Sequence, residues 1–229
     1  MGSLKMSEQS IKPKQMCLIC KTKIEYDRNP AKISGTYYDN DTLCSAECYY
    51  KAKEIAREEN FKRYLCLIPK KFQTIEHENK ELRDKLLGKS LFITGKTGIG
   101  KTVLMSAMVK AYLKDFKQVK WISYPAFIME LQCAFRKDTE SPFDIATEVA
   151  RFEGWLAIDD IGAEKLTDFV RQITYYILNE REQRELPIMI TSNFSLAEID
   201  EMIDPRISSR IAGMCEVVKL TGKDRRIKP

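Results

Sequence analysis

Residues 91–102 read Leu91-Phe-Ile-Thr-Gly95-Lys-Thr-Gly-Ile-Gly100-Lys-Thr102, a short apolar run followed by a glycine-rich loop. The loop fits the pattern G-x-x-x-x-G-K-[ST] without a mismatch. In this pattern, backbone N–H groups turn inward toward phosphate oxygens, the lysine reaches the β- and γ-phosphates, and the final hydroxyl ligates Mg²⁺. A helix beginning at Lys101 would add positive potential at the same place. The predicted nucleotide contacts are Gly95, Lys96, Thr97, Gly98, Ile99, Gly100, Lys101 and Thr102, with Thr102 also a magnesium ligand.

Apolar runs and amphipathic stretches alternate through the rest of the chain, which is typical of a parallel α/β sheet. The predicted strands cover residues 91–94, 119–124, 155–159, 188–192 and 216–220, and the predicted helices cover residues 101–113, 127–135, 168–184 and 196–211. Continuous apolar strands indicate burial on both faces. The predicted fold is therefore α/β, a five-stranded parallel sheet between helices, with no lid domain after the last strand. Four aromatic side chains near the second strand are predicted to be core residues: Trp121, Tyr124, Phe127 and Phe135.

A second apolar run, Trp155-Leu-Ala-Ile-Asp159-Asp160, ends in two carboxylates. At the carboxyl end of a strand, Asp159 is placed to hold Mg²⁺, which is the Walker B arrangement. Asp160 is placed to act as the base that orients the attacking water. A solvated acidic turn is the alternative for both residues.

Polar residues also follow the next strand, in the order Thr191-Ser192-Asn193. Asn193 could hydrogen-bond the attacking water or the γ-phosphate, the sensor I role. The alternative is that it caps the following helix, which is a common use of asparagine.

Arg206 and Arg210 lie four residues apart and share one face of a predicted helix. The planar guanidinium is always charged and suits phosphate recognition. If subunits assemble side by side, Arg210 could reach the γ-phosphate of a neighbour as an arginine finger, with Arg206 in support. A surface ion pair with Asp204 or Glu201 is the alternative.

Cysteines are concentrated near the N-terminus, with the spacings C-x-x-C and C-x-x-x-C. Under reducing conditions, paired spacings indicate metal before disulfide. Four thiolates suit a closed tetrahedral Zn²⁺ site, and the metal would supply folding energy to a module too small for its own core. The predicted zinc ligands are Cys17, Cys20, Cys44 and Cys48; disulfides or an iron–sulfur cluster are the alternatives. The remaining cysteines have apolar neighbours and are predicted to be buried: Cys66, Cys133 and Cys215.

By composition, the 229 residues divide into a zinc module at 1–50, a charged helical connector at 51–88 and an ATPase domain at 89–229. We expect the connector to wall the nucleotide site. The net charge of +5 falls within residues 1–89 and is only weak support for nucleic-acid binding. The sequence has neither a long apolar run that predicts a membrane span nor a secretory signal. We expect a cytoplasmic protein without membrane contact.

The motifs together carry a more specific resemblance. Ile158-Asp-Asp-Ile-Gly-Ala-Glu164, Ile190-Thr-Ser-Asn193 and Arg206-Ile-Ser-Ser-Arg210-Ile resemble AAA+ helicase loaders of the DnaC/DnaI type, to which the IstB transposition helpers are related. The resemblance covers roughly residues 90–226. It implies ATP-driven self-association in which Arg210 completes the site of the next subunit. It also implies delivery of a DnaB-type helicase hexamer onto single-stranded DNA, gripped by a domain in the place of the cysteine module.

Three other functions stay open from the sequence. An IstB-like helper of transposition would use the same ATPase and would prefer duplex DNA. A small P-loop kinase would phosphorylate a metabolite, but it would leave Asn193 and Arg210 without a role. A zinc-bearing adaptor with an inactive ATPase conflicts with the presence of every hydrolysis residue named above.

Overall fold

The computed structural model describes residues 46–77, 79–137, 141–162 and 167–225. The chain divides into two compact units, residues 1–59 and 60–229. The predicted zinc ligands Cys17, Cys20 and Cys44 lie outside the described residues. Helix α1 (Ala46–Tyr64) begins just after Cys44, and Cys48 is buried within its first turn. None of the described helices combines the length and apolar character needed to cross a membrane.

After α1 the chain forms a short 3₁₀ helix at Leu65–Leu67 and then alternates helices and strands. The elements are α2 (Lys70–Gln73), α3 (Lys80–Leu86), β1 (Leu91–Thr94), α4 (Lys101–Lys114), β2 (Val119–Ser123), α5 (Tyr124–Lys137), α6 (Pro142–Arg151), β3 (Trp155–Ile161), α7 (Asp168–Gln183), β4 (Ile188–Ser192), α8 (Leu196–Met202), α9 (Pro205–Met214) and β5 (Glu216–Lys219). The five strands are parallel and lie in the order β2-β3-β4-β1-β5. The predicted five-stranded parallel sheet is confirmed.

Two helices differ from the sequence prediction. Helix α6 was not predicted, although Ser141 caps it by accepting a hydrogen bond from the backbone of Phe143 and proline follows the cap. The helix predicted over residues 196–211 is two helices, because Pro205 cannot continue a helix and instead starts α9. The Asp204 side chain caps this new start.

The sheet is buried on both faces because alternate strand residues point in opposite directions. Phe92 and Ile158 pack in one core with helices α5 to α9, while Leu91 and Ile93 pack in a second core with α4. The described part of the unit at 60–229 thus has three layers, with the sheet between two layers of helices. The five described strands are parallel, so all of them end at the same edge of the sheet. That edge is where ligands bind in open α/β sheets.

The segment before β1 packs against α4. Ile68 and Phe72 are buried in the core that also holds Leu104 of α4. The Lys110 side chain donates a hydrogen bond to the Ile75 carbonyl at 2.6 Å. These contacts place residues 68–75 along α4, between Leu104 and Lys110.

One arginine stabilises the edge of the sheet where β3 and β4 begin, opposite the edge where the strands end. Arg181 of α7 is fully buried, and its guanidinium donates hydrogen bonds to the carbonyls of Ala150, Phe152, Gly154 and Pro187 at 2.6–3.2 Å. Burial lowers the pKa of Arg181 to about 10, so the side chain remains charged at neutral pH. It thereby joins the turns that lead into β3 and β4.

Several side chains depart from the sequence expectations. Tyr124 and Phe127 are buried as predicted, but the prediction for Phe135 is wrong, since its side chain is 76% exposed. Cys215 is buried as predicted, and burial raises the pKa of its thiol to about 12. Cys66 and Cys133 are exposed, because a run of apolar sequence neighbours does not fix which side of a helix faces the core.

Candidate ATP site

The phosphate loop connects β1 to α4. Gly98 and Gly100 have φ angles of +78° and +106°, which side-chain-bearing residues rarely adopt. Gly100 directly precedes Lys101, so the loop turns straight into the first turn of α4. The N–H groups of this turn are available for phosphate. Of the predicted contacts, Ile99 has a buried side chain and Lys96 an exposed one.

Lys101 lies in the hollow of this loop and is only 5% exposed. Its ammonium donates hydrogen bonds to the carbonyls of Gly95 at 2.8 Å and Lys96 at 3.1 Å. It also donates to Asn193 Oδ1 at 2.7 Å. Thr97 Oγ1 donates to the same amide oxygen at 3.4 Å. Asn193 thus touches the phosphate loop, as the sensor hypothesis requires.

Asp159 lies behind the loop and accepts two hydroxyl hydrogen bonds on Oδ1, from Thr102 at 2.9 Å and from Thr191 at 2.7 Å. Burial raises the pKa of Asp159 above its ordinary value, the hydrogen bond from Thr191 lowers it, the charge of Asp160 raises it, and the bond from Thr102 lowers it again. A carboxylate and a hydroxyl in contact form the oxygen-donor set that Mg²⁺ prefers. Thr102 and Asp159 therefore fit a magnesium ion.

Asp159 and Asp160 together form a β-bulge in β3. Between the paired positions Ile158 and Ile161, β3 has one more residue than β4, so both carboxylate residues lie opposite Thr191. The hydroxyl of Thr191 receives the Asp160 N–H at 2.9 Å while it donates to Asp159. Asp160 has φ +63°, a conformation that costs a non-glycine residue about 1–2 kcal/mol. The bulge turns the Asp160 side chain toward the cleft.

These groups meet in a cleft of about 420 Å³. The sequence-predicted residues that line it are Thr97, Gly98, Gly100, Lys101, Thr102, Asp160 and Asn193. The remaining lining residues are Lys71, Phe72, Ile75, Glu76, Val103 and Arg225. The first four of these belong to the predicted connector, which therefore does wall the site as expected.

Arg206 and Arg210 are not among the described residues that line this cleft. Arg206 grips the Asp204 carboxylate with Nε at 3.0 Å and Nη2 at 2.7 Å, while its side chain stays 64% exposed. Arg210 forms an ion pair with Glu182. Both guanidinium groups lie over the ring of Tyr175, at 5.1 and 5.7 Å from its centroid. The two arginines thus form one cluster around Tyr175 in which Asp204 and Glu182 balance their charges.

Sequence reasoning missed Thr191 and Arg225. Thr191 had a weak signal, because it precedes Asn193 in the polar run that ends β4. Arg225 carried no signal in the sequence, since the path of the chain after β5 cannot be read from composition. Among the described residues, no cluster of three His, Cys, Asp or Glu side chains could hold a metal ion.

Comparison with known proteins places this arrangement in a family. The profile of the family described as IstB-like ATP binding protein matches residues 87–229. The replicative helicase loader DnaI of Bacillus subtilis is 27% identical over 168 residues, which cover 68% of this chain and 53% of the relative. The replicative helicase loader DnaC of Escherichia coli is 23% identical over 122 residues, which cover 53% of this chain and 49% of the relative.

A solved structure supports the fold. The crystal structure of DnaI superimposes with a TM-score of 0.53 at 21% identity, covering 74% of this chain and 85% of that one. At this identity the likeness concerns the fold alone. The chain spans about half the length of the curated relatives DnaI and DnaC.

Proposed function

We propose that this chain, which belongs to the family of IstB-like ATP-binding proteins, is an ATP-dependent loader that delivers a hexameric replicative helicase onto single-stranded DNA. One observation carries the proposal: Lys101, Thr102, Asp159, Asp160 and Asn193 come together at one edge of the sheet. The similarity to two curated helicase loaders directs this ATP site toward replication.

ATP binding would use groups that already face the cleft. The triphosphate would lie on the loop N–H groups, and the Lys101 ammonium would exchange its bonds to loop carbonyls for bonds to phosphate oxygens. Thr102 and Asp159 would hold Mg²⁺, which neutralises phosphate charge when it is bound. Phe72 and Ile75 are apolar residues of the cleft lining, against which a nucleobase could pack.

Hydrolysis would depend on Asp160 and Asn193. The Asp160 carboxylate lines the cleft and would accept the proton of the attacking water. Asn193 Oδ1 is 2.7 Å from the Lys101 ammonium, so its amide lies within reach of the γ-phosphate that the lysine would bind. The amide N–H₂ could then orient the water while the oxygen keeps the lysine in place.

Self-association would bring Arg210 of one subunit to the ATP of the next. In the single chain its charge is balanced by Glu182 and its guanidinium lies over Tyr175. The Arg210 and Glu182 side chains are only 35% and 28% exposed, and exchange of Glu182 for a phosphate would keep the guanidinium paired with an anion. A neighbouring γ-phosphate would therefore compete well for Arg210, with Arg206 beside it.

Single-stranded DNA would contact an exposed aromatic surface. Phe135 and Phe169 meet edge to face with centroids 6.4 Å apart. With Gln132 and Thr167 they line a hollow of about 320 Å³. The Phe135 ring is exposed while Phe169 is partly buried, and an exposed ring stacks with a base at about 1–3 kcal/mol without sequence preference. Phe135→Ala should therefore weaken single-stranded DNA binding more than nucleotide binding.

The predicted zinc module is part of the proposal. Cys17, Cys20, Cys44 and Cys48 would hold Zn²⁺, and the module at residues 1–50 would grip the helicase while the connector and the ATPase domain at 89–229 bind ATP. The protein would act in the cytoplasm, where the replicative helicase of a bacterial cell works.

The family profile favours one alternative, an IstB-like helper of DNA transposition. Such a helper would use the same ATP site but would assemble along duplex DNA instead of binding a helicase. The DNA form that stimulates ATP hydrolysis separates the two functions.

The test is co-elution of the protein with the replicative helicase of its host on a sizing column with light scattering, in ATP and then in ADP. A loader forms a nucleotide-dependent complex that is lost in Lys101→Ala and in Cys17→Ser. Cys133→Ser is the matched control, because Cys133 is an exposed cysteine of the ATPase domain and should not matter. If no complex forms in either nucleotide while zinc is bound, the loader proposal is wrong, and assembly on duplex DNA becomes the next measurement.

A further inference from the structure

The chain after β5 lies across the outside of the phosphate loop. We call residues 220–225 the strap. Leu220 donates a backbone hydrogen bond to the Thr94 carbonyl at 2.8 Å, which prolongs the pairing of β5 with β1. A Cβ atom on Gly95 would lie 2.6 Å from the Leu220 carbonyl oxygen. The strap and the phosphate loop are therefore in backbone contact at the point where the loop begins.

The strap reaches the middle of the loop a few residues later. The Arg225 N–H donates to the Gly98 carbonyl at 3.0 Å. A Cβ atom on Gly98 would lie 1.9 Å from the Asp224 carboxylate. The glycine at position 98 thus serves two purposes, since it provides the positive φ of the loop and the space that the strap occupies.

The end of the strap brings a guanidinium to the nucleotide cleft. Arg225 lines the cleft together with Lys101 and Asn193. Its Cζ and Nε would each lie 3.7 Å from a Cβ atom on Gly100, the residue directly before Lys101. The backbone bond to Gly98 and the contact beside Gly100 fix the Arg225 side chain next to the part of the loop that cradles phosphate.

The formal charges of the residues that line the cleft favour a role for the Arg225 guanidinium in binding an anion. Without Arg225, the described lining residues carry two ammonium groups, Lys71 and Lys101, and two carboxylates, Glu76 and Asp160, so their charges cancel. Magnesium-bound ATP is an anion, so a further cation beside the N–H groups of the loop would strengthen its binding. Arg225 makes the lining positive, and its planar fork can bind two phosphate oxygens at once.

We propose that Arg225 is a phosphate ligand of the bound nucleotide, supplied by the same chain that supplies the phosphate loop. This rests on the proposed ATP site and adds a cation to it from outside the sequence motif. It differs from Arg210, which would act on the nucleotide of a neighbouring subunit. Because the strap is bonded to the loop, Arg225 stays beside the phosphates in every subunit, whether assembled or alone.

The test is the equilibrium dissociation constant of the full chain for Mg²⁺–ATP and for Mg²⁺–ADP, measured by calorimetry at a protein concentration where light scattering shows monomer. Arg225→Ala should weaken both by about ten- to a hundredfold, the effect of losing charge-assisted hydrogen bonds. Arg225→Lys should weaken them less, because it keeps the charge and loses the fork. Lys223→Ala is the matched control, since Lys223 is exposed on the same strap, does not line the cleft and removes the same charge.

The outcomes separate this inference from the proposed function. If the wild-type chain binds ATP, Lys101→Ala abolishes binding and Arg225→Ala binds as tightly as wild type, the inference about Arg225 is wrong and the ATP site stands. If Lys223→Ala weakens binding as much as Arg225→Ala, the effect is general electrostatics and the inference is again wrong. If the wild-type chain binds no nucleotide, the proposed ATP site and the inference about Arg225 are both wrong. Thermal unfolding of each variant shows whether weaker nucleotide binding reflects lost structure. If Arg225→Ala is unfolded, the dissociation constants of Arg225→Lys test the inference instead, and binding as tight as that of the wild type would contradict it.

Discussion

Replacing Arg181 by methionine should destabilise the sheet far more than the same change at Arg184, a surface residue at the end of the same helix. Methionine keeps most of the apolar stem and removes the guanidinium that joins four backbone carbonyls. Arg184→Met is the matched control. Arg184 lies one position beyond the end of α7, its side chain is half-exposed, and it makes one ion pair with Glu180 at 3.4 Å.

The magnitude follows from the contacts. Hydrogen bonds from a charged donor contribute about 1.5–3 kcal/mol each, so four of them sum to about 6–12 kcal/mol. Burying the charge opposes this sum, which is why the pKa of Arg181 falls to about 10. The expected net loss is about 3–5 kcal/mol, as for breaking other buried charged networks. Arg184→Met should cost about 0.5 kcal/mol or less.

Urea unfolding followed by tryptophan fluorescence measures both losses, because Trp155 is buried directly after Gly154, whose carbonyl accepts from Arg181. The midpoint for Arg181→Met should fall by about 1–2 M urea. A loss below about 1 kcal/mol, or equal losses in the two variants, would refute the view that this side chain holds the turns before β3 and β4 together.

Three further outcomes are expected. Asp160→Asn should keep the fold and ATP binding, because asparagine tolerates a positive φ. The rate of single-turnover hydrolysis should fall by about 10²–10⁴-fold, because the amide cannot accept the proton of the attacking water. An unchanged rate would show that Asp160 is not the base. Lys101→Ala and Arg210→Ala should each abolish ATPase activity alone and regain part of it when mixed, since one supplies a working arginine and the other a working site; no recovery on mixing would argue against action between subunits. Cys215 should resist iodoacetamide at pH 8 while Cys133 reacts, as read by peptide mass spectrometry, because the buried thiol keeps its proton up to about pH 12. The unfolded thiol ionises near pH 8.5, so this residue should make the fold less stable as pH rises from about 9 toward 12, and rapid labelling of Cys215 in the native chain would contradict this account.

Sequence patterns predicted the phosphate loop and all five strands because these depend on strong local signals. Glycine spacing fixes the loop, and continuous apolar runs mark strands buried on both faces. The division between α8 and α9 was missed because the helical spacing of apolar residues continues across Asp204. Pro205 was the local signal for a new helix start. The exposure of Phe135 was also missed, since an aromatic residue near a strand can face either way on the following helix. The position of Arg225 depends on how the chain folds back after β5, and no local pattern carries that information.

The bulge in β3 has a consequence for how this site can change by mutation. In a regular strand, neighbouring residues point to opposite faces, so two adjacent carboxylates could not serve one cleft and one of them would enter a core. The extra residue opposite Thr191 removes that conflict. Deleting one residue here would leave a single residue opposite Thr191 and would keep Ile161 paired with Ser192, so β3 would pair regularly but with one carboxylate fewer. The strand can therefore lose one residue and keep its pairing, but only by giving up one of the two carboxylates on which the proposed hydrolysis depends.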